Sequence, residues 1–77
     1  MPSFTVPYTD DQIEVDPDRR QVMVFRNAWN RESSGYPDQI YTFDALLADK
    51  SLLVLLTAML AGNDAAELER LIRTPPA

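Results

Sequence analysis

The 77-residue chain has no histidine and no cysteine, one lysine, and only two glycines. Without histidine there is no imidazole to act as a general base near neutral pH and no nitrogen ligand for zinc or haem iron. Without cysteine there is no thiol nucleophile, zinc finger or disulfide framework. Gly35 and Gly62 stand too far apart to build a phosphate-cradling loop. Long hydrophobic runs are also missing. The longest apolar stretch, residues 51–61, is about half of the roughly 20 residues that span a bilayer, and it reads as a buried helix. The opening Met-Pro-Ser-Phe-Thr-Val-Pro carries neither the basic nor the apolar region of a secretion signal. A cytoplasmic protein is expected.

Acid is abundant. Twelve Asp and Glu against seven Lys and Arg give a net charge of −5. All five charges in residues 1–18 are negative (Asp10, Asp11, Glu14, Asp16 and Asp18), whereas from Arg19 onward seven acids balance seven bases. This balance opposes direct nucleic-acid binding, which needs basic side chains to displace counterions from phosphate. It also opposes anionic membrane surfaces. Leucine divides the chain a second way. All nine leucines lie at Leu46 or beyond, and the first 45 residues use Val, Ile, Phe, Tyr and Trp in their place. A β-rich first half and a helical second half follow from that contrast.

The expected fold is a single α+β domain over residues 1–77. A small antiparallel sheet of two or three strands (residues 11–43) packs on two or three helices (44–73), with an extended segment at 1–10 and a short tail at 74–77. Residues 12–16 alternate polar and apolar, residues 21–26 form a second β-type run, and Pro17-Asp18-Arg19-Arg20 is a turn-prone link. Closing this hairpin sets Asp16 opposite Gln21, Val15 opposite Val22 and Ile13 opposite Val24. Met23 and Phe25 then fall on the other face, where the N-terminal segment with Phe4, Val6 and Tyr8 is the expected cover. Residues 39–43 read as the third strand.

Asp44 is the expected cap of a short helix that turns Leu46 and Leu47 inward. A second helix restarts at Asp49 or Ser51. Its apolar residues Leu52, Leu53, Val54, Leu55, Leu56, Met59 and Leu60 cover more than one stripe, so burial on most sides is expected. Gly62 suits a helix C-terminus. Asp64-Ala-Ala-Glu67 is close to a capping box opening a last helix over 65–73, with Ala65, Leu68, Leu71 and Ile72 on one face and a Glu69–Arg73 pair on the other.

Catalytic chemistry finds little support. Ser33 and Ser34 have no histidine to activate them, and a turn-forming serine pair explains them better. A chain of this length would struggle to build a sugar cleft around paired carboxylates. Asp16-Pro17-Asp18 lacks the ligand spacing of a calcium loop. The helix–turn–helix outline at 51–73 begins its second helix with acid, which repels phosphate, so an αα-hairpin reads better. Neither catalysis, a cofactor nor a bound metal is expected.

Binding is the expected function: a small acidic protein that docks on a larger protein, one with a basic groove, and modulates or inhibits it. Two candidate surfaces follow. Asp10, Asp11, Glu14, Asp16 and Asp18 form an acidic stretch able to steer association with a basic partner. Trp29, Arg31 and Tyr36 are residue types that dominate interface hot spots, although a lone Trp is also a common core anchor. In bulk properties alone the chain resembles the compact inhibitors carried by phages and other mobile elements, with no motif behind the likeness. The alternative is a structural subunit that self-associates, as a homodimer or larger assembly, through its leucine-rich helix.

Overall fold

The structure, a computed structural model, describes residues 2–27 and 35–76. Four antiparallel strands, β1 (Ser3–Thr5), β2 (Gln12–Asp16), β3 (Gln21–Phe25) and β4 (Gln39–Thr42), lie side by side in chain order. Three helices follow: α1 (Phe43–Ala48), α2 (Lys50–Thr57) and α3 (Asn63–Arg73). The α+β architecture matches the division of leucine from β-branched residues along the chain.

The β2–β3 hairpin has the expected register, with Ile13 opposite Val24, Val15 opposite Val22 and Asp16 opposite Gln21. Its link is closed by chemistry local to the turn. The Asp16 carboxylate accepts the Arg19 N–H at 3.2 Å, and Arg20 takes a left-handed φ of 54°. Ile13, Val15, Val22 and Val24 form the inner face and join a core with Phe43, Leu46, Leu53, Leu56, Leu60, Leu68 and Ile72. Arg20 fastens this end of the sheet to the helical layer. Its guanidinium lies 5.1 Å from the Phe43 ring centroid, donates to the Thr74 carbonyl at 2.9 Å and stands 3.6 Å from Asp44.

Several expectations are corrected. The sheet has four strands because residues 3–5 pair with β2, Phe4 lying opposite Ile13. The N-terminal segment therefore extends the inner face, with Phe4 and Val6 in the core and Tyr8 fully exposed, and it does not lie across Met23 and Phe25. A three-residue strand between Pro2 and Pro7 is too short to show alternation. On the outer face Phe25 is nevertheless buried, outside the core cluster, and Met23 is half-buried.

Thr42, not Asp44, caps α1. Its hydroxyl accepts the Ala45 N–H at 3.1 Å, so the helix starts two residues earlier than an Asp44 cap would place it and takes in Phe43, which is buried in the core. Leu46 turns inward as expected, but Leu47 is exposed. Asp49 caps α2, which ends at Thr57, so Met59 and Leu60 belong to the following turn.

Gly62, at φ 58°, opens α3 instead of closing α2, and no side chain caps that helix. Glu67 does not reach back to complete a capping box; it holds Arg70 one turn on. The apolar face is as expected, with Leu68 and Ile72 fully buried, and Glu69 meets Arg73 at 3.1 Å.

Candidate functional site

The acidic stretch is divided by the strand that carries it. Asp10 and Asp11 precede β2 and Asp16 and Asp18 follow its centre, separated by a strand of about 17 Å. Asp11 is committed to the fold, its carboxylate accepting the Asn27 N–H at 2.7 Å at the end of β3. Beside it the Asp38 carboxylate accepts the Arg26 N–H at 2.6 Å, so two acids receive consecutive backbone donors. Charge-assisted bonds of this kind hold the chain direction where β3 ends. Asp16 serves the hairpin turn and lies 3.9 Å from Arg19. Glu14 is only 7% exposed, on the outer face between Ser3 and Met23. Asp10 and Asp18 are the fully solvated members of the set, and they sit at opposite ends.

Tyr36 is exposed shortly before β4. Trp29 and Arg31, like Ser33 and Ser34, lie outside the described residues. Among the described residues no three acidic side chains converge in a way that could hold a metal ion, and no helix is long and apolar enough to cross a membrane.

A second surface is defined by residues that were expected to be internal. α2 buries Leu53 and Leu56, yet Val54 is 62% and Leu55 68% exposed. The eight-residue helix lies at the border of the sheet, so one seam meets the core and the opposite side meets water. Ser51, Val54, Leu55 and Ala58 recur at helical spacing on that exposed side, free of charge. Between α2 and β4 runs a groove of about 240 Å³, lined by Arg26, Gln39, Tyr41, Leu52, Leu55 and Met59 among others. On the outer face of the same strand Ile40 is 55% exposed. The signal for this surface was present in the sequence as an apolar pattern too wide for one stripe. Only the position of α2 at the sheet border shows which part of it faces water.

β4 is also an edge. Phe43 N–H donates to the Arg20 carbonyl at 2.9 Å, and alternation along the ladder then directs the backbone groups of Tyr41 and Gln39 toward β3. Those of Ile40, together with the Thr42 N–H, point away from the sheet. The other edge, β1, is three residues long and flanked by Pro2 and Pro7, whereas β4 contains neither charge nor proline.

Away from both surfaces, hydrogen bonds from the Arg70 guanidinium hold the Glu67 carboxyl below its ordinary pKa and raise that of Arg70. Both groups are solvated, and their pairing braces α3. No protein-family model, curated protein or solved structure matches the chain.

Proposed function

We propose that this chain is a non-enzymatic protein-binding domain that docks through the border formed by β4 and α2. One observation carries the reading: Leu55 is 68% exposed beside a groove it lines with Tyr41, Leu52 and Met59, and Val54 and, on the outer face of β4, Ile40 are also more than half exposed, in a chain of net negative charge. Exposed apolar side chains gathered beside a groove lower the free energy of a bound state by leaving water together. A strand edge with no further strand beside it among the described residues adds directional backbone hydrogen bonds to that drive.

A second reading is favoured by Asp10 and Asp18, whose side chains are solvated at the two ends of β2. In that reading the chain is an acidic modulator that inhibits or redirects a larger protein, its carboxylates steering it onto a basic groove. The two readings separate in a tagged pull-down read by mass spectrometry at low and moderate salt. Loss of capture with Leu55→Glu, and little dependence on salt, supports docking at the β4–α2 border. Loss of capture with the Asp10→Lys, Asp18→Lys double variant or with added salt supports the acidic modulator. If the native chain and both variants, at both salt conditions, recover the same proteins as an unrelated acidic control, both readings fail.

A further inference from the structure

We infer that the occupant of the β4–α2 border is a second copy of this chain, joined about a two-fold axis through Ile40. The inference rests on the docking reading above and adds the partner and its register. Three features point to a second copy. The first is charge. Two chains of net −5 repel over most of their surfaces, but the four residues of β4 carry no charge, so an identical chain can approach along this strand with acids only at its ends, Asp38 and Asp44.

The second feature is backbone direction. Ile40 presents both its N–H and its carbonyl outward, and such a residue is self-complementary across a two-fold axis. Ile40 N–H of each copy donates to the Ile40 carbonyl of the other. The third is side-chain placement. Antiparallel joining sets Ile40 against Ile40 on the outer face and brings Tyr41 opposite Gln39 on the inner face. It also brings the Leu55 side of each α2, which lines the groove, toward its counterpart. The result is one eight-stranded sheet covered by helices on one face, doubled from the four strands of a single chain.

The absence of native cysteine makes the register directly testable. In an antiparallel hydrogen-bonded pair the Cα atoms lie about 5.5 Å apart, inside the range a disulfide spans. Purified full-length chain is measured by sedimentation equilibrium from about 1 to about 100 μM, the range of a modest interface. The same is done for Ile40→Lys and Leu55→Glu, and circular dichroism reports whether each variant is folded. Ile40→Cys and, on the other edge, Thr5→Cys are oxidised mildly and run on a non-reducing gel.

The expected result is a mass that doubles from 8.7 kDa with concentration for the native chain. Folded Ile40→Lys and Leu55→Glu stay at the single-chain mass, and Ile40→Cys cross-links at least about tenfold faster than Thr5→Cys. A native chain that stays single throughout overturns the inference. So does a dimer that survives both substitutions or cross-links no faster through position 40. A single-chain mass combined with Leu55-dependent capture of a different protein overturns the second copy and leaves the docking reading standing. A single-chain mass with no Leu55-dependent capture overturns both.

Discussion

Adjacent leucines on α2 provide a controlled test of how the helix is seated. Leu55 and Leu56 have the same chemistry and the same helix propensity, yet Leu55 is 68% exposed and Leu56 only 3%. Truncating each to Ala should therefore give very different losses of stability. Leu56→Ala removes a packed side chain from the hydrophobic core and leaves a cavity, at a cost of about 2–5 kcal/mol. Leu55 has about a third of its surface covered, so Leu55→Ala forfeits about 0.5–1 kcal/mol of burial, part of it offset by the better helix propensity of alanine. A 77-residue domain has a total stability of about 4–12 kcal/mol. Leu56→Ala thus removes a large share of it, and Leu55→Ala does not. Urea unfolding at about 1 μM, followed by circular dichroism, keeps self-association from masking the difference. Equal losses from the two variants, or a larger loss from Leu55→Ala, would refute the seating of α2 at the sheet border.

Three further outcomes are expected. Thr42→Ala removes the side-chain acceptor at the start of α1 and should cost about 1 kcal/mol in urea unfolding, whereas Asp44→Ala at the neighbouring solvated position should cost less. Asp11→Ala should destabilise the fold by about 1–2 kcal/mol because the Asn27 N–H loses its carboxylate, and Asp11→Asn, which keeps an oxygen there, should recover part of that loss; equal effects in a thermal melt would argue against the bond. The Glu67 carboxyl, held below its ordinary value by Arg70, contributes to folded α3 while it is ionised. That contribution is full above the unfolded Glu pKa and fades as pH falls through the lowered folded value. An NMR titration of the Glu67 side chain should accordingly show a midpoint below the ordinary glutamate value, and Arg70→Gln should move it back up.

How much of this was legible in the sequence depends on whether a residue's role is set by its neighbours in the chain or by distant packing. The β2–β3 hairpin was readable because alternation and a four-residue link fix one register between them. The inner face of α3 was readable for the same kind of reason, since Ala65, Leu68, Leu71 and Ile72 share one side at helical spacing. β1 was not readable: three residues between prolines become a strand only because β2 offers them an edge. Thr42 and Asp44 are both competent caps, and local sequence does not choose between them; the helix starts at Phe43, with Thr42 as its cap. Gly62 has the backbone freedom to end one helix or begin another. Of the candidate site, the acidic stretch was visible as composition, but its division into turn-closing, buried and solvated members was not. Asp11 and Asp16 are claimed by N–H groups at Asn27 and Arg19, one of them sixteen residues away.

The unequal borders of the sheet set a limit on growth. A strand edge that accepts another strand is a bonding site, and a sheet with two such sites can polymerise without end. Here Pro7 removes a backbone donor just beyond β1, and that strand offers only three residues. Under the proposed pairing the molecule therefore has a valence of one. Joining at β4 consumes it, and the product presents two blunt ends instead of a fresh template. Replacing Pro7 with a strand-forming residue would raise the valence to two, and the β4 edge proposed to close a pair would then favour a fibre.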